Sequence, residues 1–111
     1  MTVKIIESQD DIITVFKSPV AVVFKHSTRC PVSLAAKREF DIFSSDEQEK
    51  ATIYIIDVIR NRHESMQIAE KSGVAHQSPQ VLILKSGEVV WHESHWAITA
   101  EAIHNELRKI K

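Results

Sequence analysis

Val20-Ala21-Val22-Val23-Phe24, then Lys25-His26-Ser27-Thr28-Arg29, then Cys30-Pro31-Val32-Ser33: the fold turns on this stretch. The first five residues are apolar, rich in β-branched side chains and bounded by polar ones, which predicts a central strand buried on both faces. Lys25 to Arg29 reads as a polar loop. From Pro31 onward the spacing of Val32, Ala36, Phe40 and Phe43 is helical and runs to about Ser44-Ser45. Strand, loop and helix together place Cys30, the single cysteine of the chain, at a helix start.

Outward from that centre the same reading continues in both directions. Val3 to Ile6 predicts a short first strand, and Ser8 with Asp11 three residues on is a capping-box start for a helix through Lys17 with Ile12, Ile13 and Phe16 as its buried stripe. Pro19 then resets the chain. After Phe43 the cluster Asp46 to Lys50 reads as a solvated connection, and Thr52 to Val58 as a second buried strand. Asn61 and Glu64 form a capping pair for a helix to Lys71 or Ser72, closed by Gly73 as a left-handed cap. Gln80 to Leu84 and Glu88 to His92 are strands whose link, Lys85-Ser86-Gly87, is short enough only for an antiparallel hairpin. Thr99 caps a last helix with Ile103, Leu107 and Ile110 on one face and Arg108, Lys109 and Lys111 near its negative end. The order βαβαβαββα predicts one α/β domain over residues 1–111, a mixed central sheet flanked by helices.

Composition narrows the possible functions. With 111 residues, 43% hydrophobic and 26% charged, the chain is long enough for one self-sufficient core. The net charge of −1 and the scattered Lys and Arg offer no field for a phosphate backbone, so nucleic acid is not an expected partner. No apolar run reaches the length of a membrane span or a signal peptide, and the expected location is the cytoplasm. One cysteine excludes an internal disulfide framework, which agrees with a reducing compartment. Six histidines raise the question of metal, but His92 and His95 at a strand end face opposite ways, and no metal site is expected.

Cys30 carries the chemistry. Proline is favoured at the first helical position, where its missing N–H costs nothing, so Pro31 there makes Cys30 the N-cap. The free amides of Val32 and Ser33 and the helix dipole then favour a thiolate, with Arg29 beside it and Lys25 in the same loop adding positive charge. A free cysteine otherwise packs as a small hydrophobe, but such a residue belongs on an apolar face rather than between Arg29 and Pro31. Ser33 can turn its hydroxyl toward the sulfur, or serve as a plain helix-start serine. Thr28 either bonds locally in the turn or contacts an incoming disulfide. Pro79 opens a strand, where a residue without an N–H is tolerated. The Ser78–Pro79 bond can be trans, as most are, or cis, which would present the Ser78 backbone to a bound peptide or thiol.

The element order, the Cys-Pro helix start and the Ser-Pro before the hairpin resemble the thioredoxin superfamily. More narrowly, Thr28-Arg29-Cys30-Pro31-Val32-Ser33, His76-Gln77-Ser78-Pro79-Gln80 and His95-Trp96-Ala97-Ile98-Thr99 resemble the YtxJ-like monothiol bacilliredoxins. The resemblance implies that Cys30 is the nucleophile, that Pro79 is cis, and that the substrate is a protein cysteine capped with bacillithiol. Arg29 and Ser33 would then stabilise the thiolate, and Thr28, Pro31, Ser78 and Pro79 would bind substrate. Bacillithiol enters as co-substrate with no bound cofactor, and the partners are S-thiolated client proteins and a low-molecular-weight thiol.

The departures from dithiol relatives matter equally. Ser33 stands where a second cysteine would be, which excludes release of a mixed disulfide by an internal one. The strand before the site, Val20 to Phe24, has no acid, leaving proton handling to water, His26 or nothing. The glycine-rich patch by which glutaredoxins hold glutathione is absent from Glu88 to Ala97. The expected function is monothiol de-thiolation through a mixed disulfide on Cys30. The alternative is a redox-sensing or binding module in which Cys30 is thiolated reversibly without turnover.

Overall fold

In the computed structural model, which describes residues 2–46 and 51–110, the apolar runs pair into one five-stranded sheet in the order β1-β3-β2-β4-β5. Its strands are β1 (Val3–Ile5), β2 (Val20–His26), β3 (Thr52–Asp57), β4 (Gln80–Lys85) and β5 (Glu88–Ser94). The helices are α1 (Gln9–Lys17), α2 (Pro31–Asp46), α3 (Arg62–Ser72) and α4 (Ala100–Arg108), with a 3-10 turn at His95–Ala97 before the last. Pairs β1–β3 and β3–β2 are parallel, and β2–β4 and β4–β5 antiparallel. The predicted mixed sheet and element order are thus present, and β2 lies at the centre. Beyond Asp46, the connection read as solvated lies outside the described residues.

Alternation along β2 decides which helices cover which face. Val22 and Phe24 point to one side, where Ala36, Phe40 and Phe43 of α2 and Ile103 and Leu107 of α4 close the core. Ala21 and Val23 point to the other, against Ile12 and Val15 of α1 and Ile68 of α3. The Phe24 and Phe40 rings stack 4.7 Å apart, seating α2 on the sheet directly after the turn that carries Cys30. The start of α4 is fastened to α2 by Glu39, whose Oε1 accepts the Ala100 N–H at 3.0 Å, while Thr99 Oγ1 accepts the Ala102 N–H at 3.1 Å as a cap.

Several local predictions hold, and others are corrected. Ser8 and Asp11 form the capping box, and Gly73 takes the left-handed conformation. Ser86 and Gly87 both have positive φ, as a two-residue hairpin turn that follows the strand twist requires. The buried residues of α1 are Ile12 and Val15, whereas Ile13 is exposed, because the helix lies on the sheet along its i, i+3 edge. Asn61 makes no side-chain cap for α3. Its Nδ2 reaches the Glu7 carbonyl instead, a contact between loops that spacing alone cannot reveal.

The main correction concerns Lys25 and His26. Both belong to β2 rather than to a loop, since Lys25 pairs with Gln80 of β4 and His26 with Asp57 of β3. The strand continues through polar residues because both neighbours supply partners for its backbone. Lys25 is fully buried, and its Nζ donates to the Ser65 carbonyl at 3.1 Å and lies 3.1 Å from His76 Nδ1. Burial lowers its pKa from 10.5 to about 8.

Between those two values the unfolded chain holds the Lys25 proton more often than the folded one, so stability rises with pH across the window, and below it the penalty is complete. From about pH 7.5 to about pH 9.5 this should add on the order of 2 kcal/mol to the folding stability. Denaturant unfolding of the parent and of Lys25→Met at the two ends of that range isolates the effect, because other groups cancel in the difference. The parent is expected to gain on the variant as pH rises, and a gap independent of pH would show that Lys25 does not titrate from a desolvated site.

Candidate active site

The site forms where the C-terminal ends of β2 and β3 meet the start of β4. The Cys30 carbonyl accepts the Leu34 N–H at 3.0 Å, the first bond of α2. Cys30 is therefore the N-cap, with Pro31, Val32 and Ser33 as the first three helical residues, as the sequence predicts. The unpaired amides of the first turn and the positive end of the helix dipole face this position. The Cys30 N–H donates to the Ser27 carbonyl at 3.3 Å, closing a tight turn. Cys30 is a free, half-buried thiol, and Thr28, Arg29 and Pro31 around it are exposed. A sulfur so placed is open to a partner from solvent while resting on a helix start that favours negative charge.

Ser33 is fully buried, and its hydroxyl faces inward rather than toward the sulfur. Its Oγ accepts the Ser27 N–H at 2.9 Å and lies 2.8 Å from His26 Nδ1. The expected hydrogen bond to Cys30 is not formed among the described residues. The physical reason is the extension of β2, which brings a buried imidazole and a backbone amide to the inner side of α2, where both need a partner. The His26 ring stacks on Phe24 with centroids 5.6 Å apart. Burial and the nearby Lys37 lower its pKa, against the smaller opposing pull of Asp57 and Asp41. His26 is thus held toward the neutral imidazole.

Other predicted residues fall into place unequally. Lys25 does not flank Cys30 in a loop. Its side chain points to the opposite face of the sheet, toward α3, and its ammonium is spent on Ser65 and His76. Arg29 makes no ion pair among the described residues. The Ser78–Pro79 bond is cis, as the resemblance implies. Pro79 is buried immediately before Gln80, the partner of Lys25, so it follows the end of β2 across the sheet. Its carbonyl accepts the His95 N–H at 3.1 Å, which ties the 3-10 turn to the same corner. Gln80 Nε2 donates to the Ala75 carbonyl at 3.1 Å, and the side-chain oxygens of Ser78 and Gln80 are buried there without a partner among the described residues.

Two features of this corner escaped the sequence reading. One is the pairing of His26 with Ser33, seven residues apart. The other is the Lys25–His76–Gln80 cluster that holds the segment before Pro79. A polar pair directly following a buried strand was the available signal. His95 lies past the end of β5, in the 3-10 turn with φ 58°, so it does not share a strand with His92. Trp96 beside it is 72% exposed. A groove of about 280 Å³ separates α2 from this turn, with Arg38 and Glu39 on one wall and His95 and Trp96 on the other. Among the described residues no three His, Cys, Asp or Glu side chains converge on a common point, and no helix is long and apolar enough to cross a membrane.

Comparison with known proteins agrees with this geometry. A solved structure described as "a putative oxidoreductase with a thioredoxin fold" is 30% identical, with a TM-score of 0.84 over 94% of this chain and 92% of that one. Thioredoxins of Trypanosoma brucei brucei and Malassezia sympodialis share the fold at TM-scores of 0.77 and 0.72, with identities of 16% and 18%. They match over 98% and 97% of this chain and 90% of each of theirs. The sequence pattern described as monothiol bacilliredoxin BrxC matches residues 2–103. With a capped, half-buried single cysteine on a thioredoxin fold and a family match over almost its whole length, the chain belongs to the monothiol bacilliredoxin family.

Proposed function

We propose that the protein removes bacillithiol, or another low-molecular-weight thiol, from S-thiolated proteins through a mixed disulfide on Cys30. The observation that carries this reading is the half-exposed sulfur of the chain's one cysteine at the N-cap of α2, with a buried serine at the position three residues on. In the first step the Cys30 thiolate attacks the small-thiol sulfur of the capped client. The client's disulfide bond breaks and its cysteine leaves as thiolate, while Cys30 takes the small thiol in a new disulfide. In the second step an external thiolate attacks that small-thiol sulfur, forms a symmetric disulfide and returns the Cys30 thiolate. Electrons balance because each step exchanges one thiolate for another across one disulfide.

Within this scheme Pro31 and the first-turn amides set the helix end beneath the sulfur, and exposed Arg29 adds positive charge beside it. Exposed Thr28 and Pro31 receive the capped cysteine, and Ser78, beside the buried Pro79, offers it backbone. Bacillithiol is the co-substrate, no cofactor is needed, and the setting is the cytoplasm, where a reducing thiol pool supplies the second step.

Incubated with a bacillithiol-capped client and no free thiol, the protein should release client thiol in one stoichiometric round and gain one bacillithiol mass on Cys30. Added bacillithiol should restart release, and Cys30→Ala should abolish both release and mass gain. A mass gain without resumed release would favour reversible sensing over turnover, and many rounds without free thiol would overturn the monothiol scheme.

Replacing the buried serine tests the same logic from within. In Ser33→Cys the new thiol lies three helical residues from Cys30 and can close a disulfide that expels the small thiol. This variant is expected to free bacillithiol from its own mixed disulfide with no external thiol, read by mass spectrometry as loss of the adduct. Retention of the adduct by folded Ser33→Cys would show that residue 33 is not placed to resolve Cys30.

A further inference from the structure

A charged lysine has protons to give and no lone pair to receive one, so it can only donate. The buried Nζ of Lys25 lies 3.1 Å from the Ser65 carbonyl and 3.1 Å from His76 Nδ1, and both therefore accept. This fixes the His76 tautomer: Nδ1 is bare and the neutral ring carries its proton on Nε2. Burial, Lys25 and Arg62 all lower the pKa of His76, which holds the ring toward that neutral form.

The arrangement costs stability. Ser65 Oγ and Gln80 Oε1, on residues that already adjoin Lys25, are two more buried oxygens with no partner among the described residues. A methionine in place of Lys25 would fill a similar volume with no charge to desolvate. Departures from what the core alone would favour gather at functional sites. What the ammonium supplies here is a hold on the chain before β4. Residues 75–79 are fixed at three points: the Ala75 carbonyl by Gln80 Nε2, the His76 ring by Lys25, and the Pro79 carbonyl by the His95 N–H. Lys25 pairs with Gln80 across the sheet, and one further step in that register sets Pro79 across from His26. The next residue, Ser27, opens the turn that closes on Cys30. The held segment and the turn of the cysteine thus leave neighbouring strands at the same end of the sheet.

We propose that Lys25 is a positioning residue for disulfide exchange at Cys30, holding residues 76–78 through His76 in the backbone conformation that a client peptide meets. This rests on Ser78 offering backbone to the capped cysteine, as in the proposed function. Lys25 acts through His76 and touches neither sulfur nor substrate. Its loss should weaken the binding of a peptide and leave the reactivity of the sulfur as it was.

A cysteine peptide capped with nitrothiobenzoate tests this without bacillithiol. The Cys30 thiolate attacks the peptide sulfur, a disulfide forms between Cys30 and the peptide, and the coloured nitrothiobenzoate leaves as thiolate, so that one disulfide replaces another. Cysteamine capped in the same way reports the sulfur without a peptide backbone. At neutral pH, Lys25→Met is expected to unfold at no less denaturant than the parent. Its half-saturating peptide concentration should rise about fivefold or more, with the limiting rate and the cysteamine reaction unchanged. His76→Leu should reproduce the rise, and His76→Asn, which keeps an acceptor for the ammonium, should largely restore the parent value. Adding Lys25→Met to His76→Leu should weaken binding no further. If Lys25→Met does not fold, the two His76 variants carry the same test. Half-saturation like the parent's in the folded variants would overturn the proposal, and additive losses would do so by placing the effect of Lys25 outside His76. A parent that reacts with the peptide no better than with capped cysteamine would also overturn it, while removal of bacillithiol keeps its own separate test.

Discussion

A single buried hydroxyl holds together the junction between the central strand and the helix that follows it. Ser33 Oγ receives the Ser27 amide and meets the His26 ring, and the turn from Ser27 to Cys30 closes above it. The Ser33 hydroxyl is fully buried and the Ser27 amide partly so, and leaving the hydroxyl unpaired carries the cost of an unmet buried hydrogen bond, about 1–3 kcal/mol. The junction is therefore well determined, and with it the direction of the α2 axis at Cys30. Packing reinforces the tie, because Phe24 stacks on both His26 and Phe40 and so joins strand end, helix and ring in one column.

On the opposite face the same strand carries a less comfortable group. Lys25 is buried with a carbonyl and an imidazole as partners, and among the described residues it pairs with no carboxylate. A buried ammonium in such company costs stability, and no apolar replacement of its volume would bear that cost. In return it connects α3 to the segment that leads into Pro79. Gln80, its partner across β2 and β4, holds that segment again through Ala75. The segment before Pro79 is thus held by polar contacts through His76 and Gln80. Its position relative to the helix start follows from sheet register.

The site combines these two supports with an exposed rim. A half-buried cysteine on a helix start, an inward-facing serine and a cis proline just before the start of the neighbouring strand β4 make up this small corner. The exposed Trp96 and the groove beside α2 lie on the side to which the Pro79 carbonyl fastens the 3-10 turn. Fold and family membership account for thiol redox chemistry.

Much of this was written in local patterns. The apolar run Val20–Phe24, the helical spacing after Pro31, the capping box at Ser8 and the left-handed Gly73 each act within a few residues, and such signals specify strand, helix and turn wherever the segment sits. The N-cap position of Cys30 was legible for the same reason, since Pro31 prefers the first helical position whatever surrounds it. Tertiary structure decided the rest. Lys25 and His26 look like loop residues until β3 and β4 pair with them, Ser33 looks like a donor to Cys30 until His26 arrives on its inner side, and Asn61 looks like a cap until Glu7 is near. In each case a polar side chain has several local partners of similar strength, and the choice falls to whichever buried group has left water and would otherwise go unpaired, which depends on contacts far apart in the chain.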